Sequence, residues 1–128
     1  MARAVLDASA VIALLRDEPG ADIVAGYAGE ALISTVNLQE AIKVLVADGV
    51  AEKVAREMLD PLGLEYRSHG AEDAWAAAVL YPMTKSRGSG LGDRTCMALA
   101  IAEALPAITT DRAWSTLGIP GLSVILAR

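Results

Sequence analysis

The chain predicts an α/β fold with a parallel sheet covered on both faces, and three observations predict it. Brief apolar runs at 4–6, 31–33, 107–109 and 122–125 have the length of buried strands. Apolar residues between them recur at helical spacing, as Leu38, Ala41, Ile42 and Leu45 do at offsets of three, four and seven. The two kinds of segment alternate, which is how a parallel sheet is connected.

Taken in order, residues 4–6 end at Asp7 and lead into the apolar run 9–15, a strand passing into a helix with Asp7 at the junction. Pro19 restarts the chain near the start of a second short helix over 21–28. Residues 31–33, between Gly29 and Ser34, form the next strand. The amphipathic helix through Leu45 follows and Asp48-Gly49 stops it. A helix over 51–59 ends before Asp60-Pro61, and 64–67 could add a weakly patterned strand. A helix over 71–83 carries Pro82 near its end, and 85–92 is a loop with Gly88, Gly90 and Gly92. Residues 95–105 are apolar almost all round, which predicts a helix buried on both sides. Strands at 107–109 and 122–125 bracket a short helix around 112–117. With no repeat, linker or low-complexity segment, residues 1–128 are expected to form one domain.

Composition narrows the function. At 54% hydrophobic and 21% charged, the 128 residues can bury a core and are not disordered. A mean hydropathy of +0.41 predicts an apolar face covered by a partner or a second copy. The apolar stretch after Arg3 is interrupted by Asp7 and too short to span a bilayer, so no membrane or targeting segment is expected. The single cysteine, Cys96, forms no intrachain disulfide, which fits a cytoplasmic location. A net charge of −5 argues against broad non-specific nucleic-acid binding. A nuclease of this charge must concentrate its cations locally, or be acidic because its site is acidic.

Four acids stand where a parallel α/β sheet binds ligands, at the carboxyl ends of its strands. Asp7 and Asp111 each follow a predicted strand and open a helix. Asp93 opens a helix after the glycine loop, and Glu40 lies early in the helix after the second strand. Singly, each has a simpler explanation: Asp is among the best N-cap residues, and Glu40 can pair with Lys43 on a helix surface. Jointly they form an all-oxygen donor set with no supporting histidine or thiolate, which selects Mg²⁺ or Mn²⁺ over Zn²⁺. Ser34 and Thr110, beside these acids, could orient them as hydroxyl neighbours.

These segments resemble a known family. Val5-Leu6-Asp7-Ala8-Ser9-Ala10-Val11, Ile33-Ser34-Thr35-Val36-Asn37-Leu38-Gln39-Glu40, Leu91-Gly92-Asp93-Arg94 and Thr109-Thr110-Asp111-Arg112-Ala113 resemble the four acidic motifs of PIN domains, VapC-type toxins above all. The likeness covers the whole chain in the same order. It implies a three-layer α/β/α sandwich with a central parallel sheet of four to five short strands. It implies an endoribonuclease holding one Mg²⁺ or Mn²⁺ on Asp7, Glu40, Asp93 and Asp111, with Ser9 and Thr110 as supporting hydroxyls. A homodimer and a cognate antitoxin that blocks the site are implied too.

Lys85, Arg87 and Arg94 around the glycine loop, with Arg112, could contact RNA phosphates or form a solvated basic rim. The loop lacks the Lys-Ser/Thr ending of a P-loop. His69 reads as a loop residue, Cys96 as core, and Trp75 and Trp114 as packing residues. Three Tyr and no Phe offer no aromatic platform for stacking bases. A phosphoaspartate receiver would want adjacent acids after the first strand and a lysine near the last, where Asp7 stands alone and Lys85 is the final lysine. A haloacid-dehalogenase-type phosphatase would want a second Asp at Ser9. Two alternatives stay open: a PIN-like binding module without catalysis, and a PIN ribonuclease of RNA processing outside a toxin–antitoxin pair.

Overall fold

Five strands of three or four residues make one all-parallel sheet in the computed structural model, which describes residues 1–85 and 89–128. β1 (Ala4–Leu6) is central. β2 (Ala31–Ser34) and then β3 (Glu65–Arg67) lie on one side, β4 (Ala107–Thr109) and β5 (Val124–Leu126) on the other. Val5 sits opposite both Leu32 and Ala107, so the three inner strands are in step. They are buried throughout, which is why they read as continuous apolar runs.

Strand alternation sorts their side chains between two cores. Ala4, Leu6, Ile33 and Ile108 pack in one layer with α1 (Ala8–Leu15), α2 (Ala21–Ala25), α3 (Thr35–Ala47) and α4 (Glu52–Leu59). Val5, Leu32 and Ala107 pack in the other with α5 (Ala71–Ala78), α7 (Leu91–Glu103) and Trp114. The short α6 (Tyr81–Thr84) precedes α7, and a 3₁₀ turn spans Arg112–Thr116. The result is a sheet between two helical layers. The chain winds outward from β1 to β3, then returns to place β4 against β1. That reversal makes the carboxyl ends of β1 and β4 the switch point where α/β sheets bind ligands.

Several boundaries differ from those the sequence predicts. The helix expected over 71–83 is broken between α5 and α6, because Pro82 has no N–H to continue the ladder. α7 begins at Leu91, where Gly90 N–H bonds the Asp93 carboxylate at 2.9 Å, so Asp93 lies inside the first turn. α2 stops at Ala25, and the last strand covers 124–126. The weak pattern at 64–67 is a true edge strand. α7 is buried over Thr95–Ala98 but keeps Leu91 and Ala102 exposed, so it is less enclosed than its composition predicts. Trp114 is in the core, whereas Trp75 is 70% exposed and does not pack. Among the described residues no helix is long and apolar enough to cross a membrane.

Candidate metal centre

β1 delivers Asp7 to the switch point, where the chain turns into α1. Its Oδ1 accepts from Ser9 Oγ at 2.7 Å and from Ala10 N–H at 2.9 Å, the second bond capping α1. Its Oδ2 accepts from Thr109 Oγ1 at 2.6 Å. The side chain is a helix cap, yet it is only 4% exposed, and a cap does not need burial. Burial raises its pKa to about 6, against the three hydrogen bonds, and the charge of Asp93 adds to the rise.

Two relays brace this carboxylate from β4. Asp111 N–H bonds Thr109 Oγ1 at 3.1 Å, and Thr110 N–H bonds Ser9 Oγ at 3.0 Å. Thr109, which sequence reasoning passed over, therefore supplies the hydroxyl beside Asp7, while Thr110 acts through its backbone. The register carried the missed signal: Val5 pairs with Ala107, so two residues on Asp7 faces Thr109.

Glu40 sits in the second turn of α3, whose N-cap Ser34 accepts from Val36 N–H at 3.2 Å. Asn37, 1% exposed, donates from Nδ2 to Glu40 Oε1 at 2.8 Å and to the Gly92 carbonyl at 2.9 Å. A Cβ on Gly92 would overlap the Glu40 carboxylate, so α7 offers it a cradle one residue before Asp93. No ion pair joins Glu40 to Lys43. Asp93 is half-buried, and its pKa is raised by burial and by the charge of Asp111, against the Gly90 bond and Arg94. Asp111 is exposed and caps the 3₁₀ turn through Ala113 N–H at 2.9 Å.

The acids act on one another. Asp7 feels Asp93, Asp93 feels Asp111, and Glu40 rests against the residue before Asp93. Buried Cys96 lies among them: burial pushes its thiol up first, then the charges of Asp7, Asp93 and Glu40 push it further. Among the described residues, no three acid, His or Cys side chains are placed to hold one ion together. Carboxylates without a cation repel, and drawing them inward is opposed until one is present. The all-oxygen donor set, the hydroxyls fixing Asp7 and the cradle beneath Glu40 fit a hard divalent ion. Asn37 Oδ1 is buried with no donor among the described residues, a further polar atom at this edge.

The expected basic rim is partly spent on internal contacts. Arg94 lies over the Tyr81 ring at 5.3 Å and donates to the Ser89 carbonyl at 2.9 Å. Lys85 and Arg112 are exposed, and Arg87 lies outside the described residues. His69 is tied by its backbone N–H to Thr35 Oγ1 at 3.2 Å.

The sequence profile of the PIN domain matches residues 4–119. The chain belongs to the PIN-domain family. PIN domains are generally nucleases. This PIN domain is similar in fold to a toxin–antitoxin complex from Klebsiella pneumoniae, with a TM-score of 0.77 and 21% identity over 98% of each chain. It is similar to the DNA-bound VapBC of Salmonella typhimurium, with a TM-score of 0.75 and 16% identity over 100% of each chain. VapBC-5 of Mycobacterium tuberculosis gives a TM-score of 0.63 at 24% identity, over 98% of this chain and 99% of that one. At these identities the likeness is one of fold. No curated protein matches the chain by sequence.

Proposed function

We propose that this PIN domain is a metal-dependent endoribonuclease, the toxin of a type II toxin–antitoxin pair. One Mg²⁺ or Mn²⁺ would be held by Asp7, Glu40, Asp93 and Asp111. The observation that carries the reading is electrostatic: mutually repelling acids sit at the switch point, one of them buried with its pKa raised to about 6. A fold that needed only helix caps has no reason to bury one or to set it near its like.

A bound ion supplies charge neutralisation at the phosphodiester and a water acidified for attack. The chain's own residues do the positioning. Ser9, Thr109 and Ala10 fix both oxygens of Asp7, Asn37 holds Glu40 against Gly92, and Gly90 holds Asp93. RNA as substrate, a cognate antitoxin, a homodimer and a cytoplasmic location belong to the same proposal. Support for the antitoxin is that the similar structures are toxin–antitoxin or VapBC complexes. The separation of the carboxylates favours one other reading, a PIN-like binding module without catalysis.

The test is cleavage of single-stranded RNA with Mn²⁺, stopped by EDTA. Ser9→Ala and Thr109→Val are expected to lower the rate roughly 10–100-fold, as groups that orient ligands do. Asp7→Asn, Glu40→Gln, Asp93→Asn and Asp111→Asn should lower it further. Cleavage that persists in all four acid variants removes the site, and RNA binding without cleavage or metal response establishes the binding module.

A further inference from the structure

The cations that the sequence offers for phosphate contact surround the glycine loop, but the structure gathers a different set. A cleft of about 380 Å³ opens on the α1–α3 side of the acids, where Ser9, Glu40 and Thr110 share the walls with Arg16, Lys43 and Arg128. Arg16 follows α1, Lys43 lies one turn after Glu40 on α3, and Arg128 follows β5. Only the fold brings them together. The cleft holds these three cations against two carboxylates, Glu18 and Glu40, in a chain whose net charge is −5.

Glu18 anchors the two arginines at the rim, with Arg16 at 3.9 Å and Arg128 at 3.6 Å. Arg128 also donates to the Pro19 carbonyl at 3.4 Å, and Arg16 pairs with Asp48. The side chains in these pairs are 33–48% exposed, so water and salt screen them. A guanidinium so held is preoriented and can exchange a carboxylate for a phosphate, its preferred bidentate partner. Lys43 is exposed and has no ion pair among the described residues.

We propose that this cleft is a phosphate-binding track, seating the RNA backbone to one side of the bond to be cut, with Arg16, Lys43 and Arg128 as positioning residues. The inference rests on the ribonuclease reading and deepens it. An acidic protein cannot draw in RNA by its overall field, so it must set cations locally, and this cleft sets them beside Glu40.

The experiment measures kcat and KM for a single-stranded RNA oligonucleotide with Mn²⁺ across a salt series. Wild type is compared with Lys43→Ala, Arg128→Ala, the double variant and the charge-retaining Lys43→Arg. Each lost contact should flatten the plot of log(kcat/KM) against log[salt] by roughly 0.7, raising KM with little change in kcat. Lys43→Arg should restore the slope, and the Mn²⁺-induced melting shift should match wild type throughout. Unchanged slope and KM overturn the track. So does an equal flattening from Lys85→Ala and Arg112→Ala with none from the cleft variants. A wild-type protein that neither responds to Mn²⁺ nor cleaves RNA overturns the ribonuclease reading and the track with it.

Discussion

Asp7 caps α1 and is also buried, and the second property sets a pH dependence. Its carboxyl titrates at about 6 when folded, against 3.8 when unfolded, so the native state binds the proton more tightly. Between those values the folded chain carries more protons, and stability falls as pH rises through the window. Below 3.8 both states are protonated and nothing is lost. Above about 6 the full penalty, about 3 kcal/mol, is present. Asp7→Asn keeps an acceptor for Ser9 and Ala10 and turns an amide toward Thr109. In EDTA at neutral pH this variant is expected to melt above wild type, by a margin that closes as pH falls toward 3.8, and to gain nothing from Mn²⁺. Asn caps a helix as well as Asp does, so a variant that melts level with or below wild type under those conditions removes the burial penalty and leaves Asp7 a cap. The acids are legible in the sequence because acid side chains beside short apolar strands are conspicuous. Thr109 and Asn37 are not, because their roles depend on contacts across the fold. Thr109 meets Asp7 only when β1 and β4 are in register, and Asn37 meets Gly92 only when α3 approaches α7.

Elements follow the same division. The inner strands and α3 are legible because their burial is written in apolar spacing, but helix ends are written in backbone chemistry. α7 starts before its apolar run because Asp93 accepts from Gly90 N–H, and periodicity does not register a cap. The break before α6 is set by Pro82, and the edge strand β3 is held by pairing to β2, with Arg67 bonded to Glu65 and Glu103. The start of α7 also yields a test whose two halves move oppositely. Replacing a helical glycine by alanine ordinarily stabilises by roughly 0.5–1 kcal/mol. At Gly92 the added methyl meets the Glu40 carboxylate, the far end of a side chain that can swing away from Asn37. Gly92→Ala is therefore expected to melt no lower than wild type in EDTA, yet to lose Mn²⁺ affinity roughly 10–100-fold, as when a supporting group is removed. Full Mn²⁺ affinity in Gly92→Ala, measured by calorimetric titration, would separate the cradle from metal binding.

For the whole molecule, the two cores leave a good deal of apolar surface uncovered, and it lies on both helical layers. Trp75 on α5 and Val79, one turn on at its C-cap, are 70% and 62% exposed. On the other layer, a groove of about 450 Å³ between α3 and α4 is walled by Leu38, Ile42, Val46, Leu59 and Tyr66, with Glu52, Arg56 and Asp60 also lining it. Exposed apolar faces of this kind mark protein contacts, and the hydropathy of +0.41 is consistent with two of them. The proposed function requires two partners, and the shapes suit them differently. A groove accepts an amphipathic segment that lays its apolar side chains inside, which is how a short antitoxin segment would bind. The stripe on α5 presents the same residues from each copy, as a two-fold contact demands. Trp75→Asp is therefore expected to turn a dimer into a monomer in light scattering at high micromolar concentration, while inhibition by the antitoxin persists. Val46→Asp should leave the dimer intact and weaken inhibition by at least tenfold, since burying a charge against the apolar face of a bound segment costs more than the 1.4 kcal/mol that tenfold represents. Wild type that scatters as a monomer at that concentration removes the dimer from the proposal. Val46→Asp that is inhibited as tightly as wild type removes the groove as the antitoxin's seat and leaves the catalytic reading standing.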